Sequence, residues 1–174
     1  MNLLGAAALG LSDALDEVAS EAGLDRTSAA ALVAMLDLAR AGSVQRLSQM
    51  IGISHSGTVR LVDRLADADL VERTAGPDAR TLTVRLTRRG RTVARRVRDG
   101  HRTAVDATLA GLTDPQRRQL TTICEALVAN LTSARLATRR AGGVPSGGAL
   151  CRMCDPVACG RPAGRCPSER TAAG

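Results

Sequence analysis

The chain has 174 residues, which is enough for one modest domain with appendages. Hydrophobic residues make up 44% of it, but Phe, Tyr and Trp are absent, so any core must be aliphatic. All 24 basic residues are arginine, and the net charge of +7 favours a negatively charged partner. No basic segment opens the chain and no apolar run reaches the length of a membrane span, so we expect a cytoplasmic protein.

The charge is unevenly distributed along the sequence. Residues 1–40 carry two arginines against six acidic residues, a balance of −4. Residues 41–102 carry thirteen against six, which is +7, and residues 103–174 carry nine against five, which is +4. The concentration of arginine in the middle of the chain predicts a surface that attracts phosphate. Charge alone does not separate this interpretation from an ordinary solvated arginine surface.

Two helices are predicted in residues 1–42. Leu3–Ala22 has apolar residues near period 3.6, and Gly23 ends the pattern. Asp25 or Thr27 caps a second helix that continues to Arg40. We expect these helices to support the next segment and to take part in dimerisation.

Residues 43–90 have the order of a winged helix-turn-helix. A short apolar-periodic segment, Val44–Met50, is followed by a turn that contains Gly52 and by the amphipathic segment Ser54–Ala68. A strand then begins at Leu70, and after a polar turn Thr81–Leu86 returns with period-2 alternation. The predicted fold is therefore mainly α, with a two-stranded β wing. Such a module places its second helix in a DNA groove.

Residues 91–140 are predicted to complete the dimerisation region. Thr87 caps a helix from Arg88 to about Ala110, and Thr113-Asp114-Pro115 starts another that runs to about Arg140. Its apolar stripe consists of Leu120, Ile123, Cys124, Leu127 and Leu131, so Cys124 is expected to be an inert core thiol. The stripe predicts a dimer interface with Leu3–Ala22, and packing within one chain is the alternative. A two-fold dimer would read two half-sites with two equivalent helices.

The outer face of the Ser54–Ala68 helix carries the predicted DNA contacts. Ser54 is the N-cap, and His55 and Ser56 lie in the first turn, where base edges are usually met, although His55 could simply be an exposed residue. Arg60 offers a bidentate fork to guanine, and Arg64 is directed to phosphate. Asp63 and Asp67 would orient arginines by i,i+4 pairing. The opposite arc is expected to be buried and consists of Thr58, Val59, Leu61, Val62, Leu65 and Ala66.

The segment from Leu47 to Gly90 resembles the core of the MarR family of bacterial transcriptional regulators. The similarity lies in Thr58–Leu65, in Leu70-Val71-Glu72-Arg73, in the wing Asp78-Ala79-Arg80 and in Leu86-Thr87, and with the flanking helices it covers roughly residues 1–140. The resemblance implies a winged-helix homodimer on a pseudo-palindromic operator, usually a repressor. The predicted DNA contacts are Ser54, His55, Ser56, Thr58, Arg60, Arg64, Arg73, Asp78 and Arg80.

The resemblance also assigns roles in the wing and points to a difference in ligand chemistry. It implies that Asp78 braces the wing and that Arg80 enters the minor groove, where a narrow A·T tract attracts arginine. The alternative is an Asp–Arg pair that only stiffens a turn. Many members sense aromatic small molecules, but this chain offers such a ligand no aromatic ring for stacking. An aliphatic effector pocket remains open.

Four cysteines lie in a predicted tail, residues 151–174, after a Gly-rich linker at 141–150. Cys151, Cys154, Cys159 and Cys166 place four thiols within 16 residues, an arrangement typical of a metal site in a cytosolic protein. Their number suits Zn²⁺ and an iron–sulfur cluster equally, and their spacing does not decide between the two. A metal-free thiol switch that forms disulfides is the third interpretation.

The tail permits three functional classes. It could sense a metal or a redox signal for a DNA-binding body, or it could be a zinc-stabilised module that binds another protein. A cysteine-dependent redox enzyme is less well supported, because His55 and His101 are the only histidines and both are distant from the tail in sequence. We therefore expect a regulator and not an enzyme.

Overall fold

The helices of this protein begin where short polar side chains cap their first turns. The computed structural model describes residues 2–38, 42–75, 82–143, 145 and 147–173. In these ranges the chain forms α1 (Asn2–Glu21), α2 (Arg26–Asp37), β1 (Gly42–Ser43), α3 (Val44–Ile51), α4 (His55–Asp67), β2 (Val71–Ala75), β3 (Leu82–Leu86), α5 (Arg88–Thr108), α6 (Asp114–Arg140), a 3-10 turn (Arg161–Ala163) and α7 (Pro167–Ala173).

The predicted helix starts at Asp25, Ser54, Thr87 and Thr113 are each stabilised by a capping hydrogen bond. Asp25 Oδ1 accepts from the Ser28 backbone N–H (2.8 Å), so Asp25 and not Thr27 caps α2. Ser54 and Thr87 accept in the same way from Gly57 (3.1 Å) and Gly90 (2.9 Å). At the start of α6, Gln116 Oε1 accepts from the Thr113 backbone N–H at 2.9 Å. These local bonds satisfy the orphan N–H groups of a first turn, which explains why sequence located the starts of these helices.

The predicted wing is an antiparallel hairpin with an additional edge strand. β2 pairs with β3 from Val71 opposite Leu86 to Ala75 opposite Leu82. On its other side β3 pairs with β1, with Gly42 opposite Val84, which gives the strand order β1-β3-β2. The mainly helical winged helix-turn-helix is therefore confirmed. Strand β1 was not predicted, because two residues are too short for an alternating pattern.

The core is aliphatic, as the composition requires, and α2 runs through its centre. The largest fully buried side chains include Leu32 and Val33 of α2, Leu61 and Val62 of α4 and Val97 of α5. One cluster joins α2, α3, α4 and the sheet, and a smaller one joins α1, α2 and α5. Helix α2 therefore packs against the helix-turn-helix on one side and against α1 and α5 on the other.

Helix α6 extends away from this core and packs against the tail. Its extensive contact within the chain is with α7, where the Thr132 hydroxyl donates to Ser168 Oγ at 3.1 Å. The tail also reaches the body, because the partly buried side chain of Met153 packs against both core clusters. Across the described ranges, no helix has the length and apolar character that crossing a membrane requires.

A buried histidine makes the stability of the α1–α5 contact depend on pH. His101 on α5 is only 6% exposed, and within the described residues its Nε2 has no hydrogen-bond partner. Burial lowers the pKa of His101, against smaller opposing contributions from the Leu15 backbone and Asp16. The folded state therefore favours the neutral imidazole.

We predict that the free energy of unfolding falls as the pH drops below the ordinary histidine pKa of about 6.5. The unfolded chain binds the proton more tightly than the folded one, so this stability is fully present above that pH and is lost below it. Urea titrations between about pH 7.5 and 5.5 should show a smaller decline for His101→Gln than for the wild type. The control His55→Gln changes an exposed residue and should keep the wild-type slope. Equal slopes for wild type and His101→Gln would contradict the assignment.

Candidate nucleic-acid interface and thiol cavity

Helix α4 has one buried face and one solvent-facing face. Thr58, Leu61, Val62 and Leu65 are at most 3% exposed and lie in the core. Ser56, Arg60 and Arg64 are exposed on the other side. The predicted division of this helix is confirmed, and its outer face is available to a partner.

The first turn of α4 corrects one predicted contact. Ser54 Oγ caps the helix through Gly57 and lies 3.3 Å from Ser56 Oγ, so both hydroxyls are at the exposed end together with His55. Thr58 is different, because it is 0% exposed and its hydroxyl donates to the Ser54 carbonyl at 2.9 Å. Thr58 therefore stabilises the first turn of α4 from its buried side. Its predicted contact with DNA is wrong for this structure.

The arginines of the predicted interface differ in their partners. Among the described residues, no carboxylate forms an ion pair with Arg60. Arg64 Nη2 lies 3.8 Å from Asp25 Oδ2, and exposed pairs of this kind contribute little. Within the described ranges Arg60 therefore has no carboxylate that competes with a base edge, and Arg64 is held only loosely.

Asp63 binds Arg73 of β2 and not an arginine on its own helix. The predicted i,i+4 pairing of Asp63 is therefore wrong, because the positions four residues away are Val59 and Asp67 and the sheet brings Arg73 alongside α4. Asp67 has no ion pair within the described part of the chain. The Asp63–Arg73 pair joins α4 to β2 at the base of the wing. Asp78 and Arg80 fall in 76–81, outside the described residues, and their roles stay predictions.

A Gly-rich segment of the predicted linker lies against the turn of the helix-turn-helix, and sequence analysis did not anticipate it. We call residues 147–149 the strap. The Ala149 backbone N–H donates to the Met50 carbonyl at 2.7 Å. A Cβ on Gly148 would lie 2.4 Å from that same oxygen, and a Cβ on Gly52 would lie 2.0 Å from the Gly148 nitrogen. Only glycine allows this approach of two backbones. Paired glycines in a sequence indicate a turn, but they do not show which other segment of the chain the turn will contact.

A residue of α6 holds the strap, and the strap borders a cavity at the start of α4. The Arg135 guanidinium donates a hydrogen bond to the Gly148 carbonyl. The cavity has a volume of about 730 Å³ and is lined by Ser54 and His55 on one side and by Arg139 and Gly148 on the other. The end of α6 and the strap therefore adjoin the same turn that presents the predicted DNA contacts.

All five cysteines line a second cavity, between α5, α6 and the tail. Its volume is about 690 Å³, and Val105, Leu109 and Leu120 supply apolar walls. Cys124 is exposed toward this space, so the prediction of a core thiol is wrong. The reason is that this face of α6 meets the tail and not a packed core. Neither histidine is among the described residues that line the cavity.

The tail thiols influence one another. Burial, followed by the thiols of Cys159, Cys151 and Cys166, raises the pKa of Cys154 to about 12. None of the five cysteines is in a disulfide. Among the described residues, no three His, Cys, Asp or Glu side chains are placed to hold one metal ion. The four tail thiols thus surround a common space without forming a finished coordination sphere.

Comparison with protein families gives a consistent result. A sequence model of the MarR family matches residues 22–81, which include α2, α3, α4 and β2. No curated protein sequence matches the chain. The match therefore covers the core helix, both helices of the helix-turn-helix and the start of the wing.

Solved structures show the same fold. A MarR family transcriptional regulator from Streptomyces coelicolor, solved in complex with DNA, is 28% identical with a TM-score of 0.60, over 75% of this chain and 87% of that one. A MarR family protein from Mycobacterium tuberculosis, solved with p-aminosalicylic acid, is 29% identical with a TM-score of 0.58, over 72% and 95%. One from Bacillus stearothermophilus, at 22% identity, has a TM-score of 0.68 over 75% and 91%.

Proposed function

We propose that the chain is a member of the MarR family and acts as a sequence-specific DNA-binding regulator, a homodimeric repressor on a pseudo-palindromic operator. The match of a MarR family model to residues 22–81 supports the assignment. The observation that carries the proposal is the outer face of α4, where Ser56, Arg60 and Arg64 are exposed and the opposite face is buried. The similar Streptomyces coelicolor regulator, solved with DNA, supports it. Operator binding would place the protein in the cytoplasm.

The arrangement of α4 defines how it would read DNA. A recognition helix lies in the major groove with its N-terminal residues near base edges, and here those residues are Ser54, His55 and Ser56. Arg60 follows one turn later and has five N–H donors for the O6 and N7 atoms of guanine. Arg64 would bind phosphate and set the register of the helix. The exposed Asp63–Arg73 pair links this helix to β2 at the base of the wing.

A second copy of the chain is the proposed partner of α6. Its apolar row of Ile123, Leu127 and Leu131 is left partly or largely open, with Ile123 49% and Leu131 52% exposed. On α1, Leu3 is 84% and Leu9 68% exposed. Apolar rows of this kind on two long helices are typical of a surface that a partner covers. Because a two-fold dimer presents two equivalent α4 helices, it fits a pseudo-palindromic operator.

The signal is proposed to act through the tail. The Mycobacterium tuberculosis relative was solved with an aromatic ligand, p-aminosalicylic acid, whereas this chain has no aromatic side chain to stack on one. The alternative, a zinc-stabilised tail that binds another protein, would leave DNA affinity unchanged when the metal is removed. A thiol-dependent enzyme is disfavoured because no histidine borders the thiol cavity in the described residues.

We predict that Arg60→Ala weakens binding to an operator selected from random duplexes by about 1–3 kcal/mol and relaxes the preference at one base pair. The reason is the loss of a bidentate contact to guanine. Affinity is measured at one fixed salt concentration, because phosphate contacts are salt-dependent. The control Arg118→Ala removes the same charge from an exposed position on α6 and should bind as the wild type does. Unchanged affinity for Arg60→Ala would show that α4 is not the reading helix.

A second prediction concerns the dimer. Leu131→Glu should yield monomers in sedimentation velocity, because an unpaired carboxylate in an apolar interface is costly. The residue is half exposed in the single chain, so the fold should tolerate the change. Ser133→Glu is the matched control, since Ser133 is exposed and lies about 200° around the helix. An intact dimer of Leu131→Glu at the same concentration would rule out this surface.

A further inference from the structure

We propose that Cys151, Cys154, Cys159 and Cys166 bind one metal centre of the thiolate class, Zn²⁺ or an iron–sulfur cluster, and that the loaded tail holds the strap against the helix-turn-helix. The first half concerns the tail alone. The second half, where it refers to operator affinity, rests on the proposed function.

The backbone of the tail folds so that its four thiols face one space. The Cys154 backbone N–H donates to the Cys151 carbonyl at 3.0 Å, which closes a turn around the Cys-x2-Cys pair. A second reversal occurs where the Arg165 N–H donates to the Gly160 carbonyl at 3.0 Å, just before the buried Cys166. All four side chains thereby reach the same cavity of about 690 Å³. Four thiol sulfurs are the number that tetrahedral zinc or a cubane cluster takes, and metal binding would have to draw them closer together than they lie in this structure.

Metal binding would supply what the tail lacks in packing. Apart from its cysteines the tail offers few large apolar residues, and one of them, Val157, is 77% exposed. A short segment of this kind gains most of its folding energy from the metal. Each coordinating thiol would release its proton to solvent, and the four sulfurs would move inward from the cavity walls to the metal.

The pair Cys151–Cys154 is positioned to transmit this movement. Met153, between the two, packs against both core clusters of the body. Two residues before Cys151, Ala149 donates to the Met50 carbonyl at the end of α3. Fixing the Cys-x2-Cys turn therefore fixes both contacts. The strap touches Gly52, two residues before the Ser54 cap of the reading helix, so its position bears directly on α4.

The metal site is tested on full-length protein purified without oxygen, by elemental analysis and the visible spectrum. The same measurements follow exposure to Zn²⁺, or to equal amounts of Fe²⁺ and Fe³⁺ with inorganic sulfide. We expect one centre per chain, colourless with zinc or brown with iron and sulfide. Replacing the four tail cysteines by serine should abolish it. The matched control Cys124→Ser alters the fifth thiol of the same cavity and should retain the centre.

Two results would overturn the site. Wild-type protein that takes up neither zinc nor an iron–sulfur cluster excludes it, and so does a fourfold variant that keeps the metal of the wild type. If the fourfold variant is unfolded by circular dichroism, the single variants Cys151→Ser and Cys166→Ser replace it. Each should lower the affinity for Zn²⁺ in competition with a chelator by at least about tenfold. Unchanged zinc affinity in both would also exclude the site.

The strap is tested by substituting two glycines in turn. Both have a left-handed backbone, but only one of them lies against the helix-turn-helix. Gly148 (φ +69°) and Gly147 (φ +77°) both have left-handed backbones, but a Cβ on Gly148 would lie 2.4 Å from the Met50 carbonyl oxygen. Among the described residues, a Cβ on Gly147 would meet only Arg135 Nη2, at 3.8 Å. Gly148→Ala should therefore displace the strap, and Gly147→Ala should leave it in place.

Hydrogen exchange of the Ala149 amide reports the strap without any DNA. We expect its protection to fall at least about tenfold on metal removal or in metal-loaded Gly148→Ala, and to persist in Gly147→Ala. Operator affinity should change with it, within the usual coupling range of about 5- to 150-fold. Equal protection with and without metal would overturn the coupling. If the wild type and both glycine variants fail to bind DNA while the amide exchange changes as expected, the result would count against the proposed function and not against the coupling of tail and strap.

Discussion

The orientation of the exposed arginines depends on the burial of the opposite face of α4. Leu61, Val62 and Leu65 are at most 3% exposed and lie against α2 and the sheet. Burying an aliphatic side chain of this size contributes about 1.5–3 kcal/mol, so together the three resist any rotation of the helix about its axis. Arg60 therefore points outward because rotation would expose this apolar row. The exposed Asp63–Arg73 pair adds a weaker link between the same helix and β2.

A core without aromatic side chains brings its elements together through close backbone contacts. A Cβ on Gly90 would lie 1.8 Å from the Leu70 carbonyl oxygen, so the start of α5 lies directly on the residue before β2. Gly100 allows a similar approach, since a Cβ there would lie 2.6 Å from Val18 Cγ1 of α1. Aliphatic side chains are too small to bridge wide gaps, and native packing density then requires short separations between elements. The contact between Gly52 and Gly148 follows the same rule at the edge of the reading module.

Sequence predicted the parts of this structure that are determined locally. Caps such as Asp25 and Ser54 depend on residues within one turn, and the buried arc of α4 depends on a period of 3.6. Features that depend on tertiary contacts were missed or misassigned. Asp63 pairs with Arg73 of the adjacent strand β2. Thr58 lies in the buried arc that the helical period predicts, and its assignment as a DNA contact ignored that burial. Cys124 follows the apolar stripe, yet it faces a cavity because the tail occupies that side of α6.

Helix α6 carries both the contact with the cysteine tail and the open apolar row that is proposed to form the dimer. The tail contacts α6 at Thr132, and the open row of Ile123, Leu127 and Leu131 lies directly beside Leu120 and Cys124, which border the thiol cavity. If the tail left α6, Leu120 and Val128 would be uncovered next to that row, and the apolar surface would widen around the helix. A wider surface specifies the position of a partner helix less strictly than a narrow one. In the proposed dimer, half-sites one helical turn apart, about 34–36 Å, would require the spacing of two α4 helices to be held closely. A loaded tail would therefore favour operator binding in two ways, by confining the dimer contact to one face of α6 and by holding the strap at the start of α4.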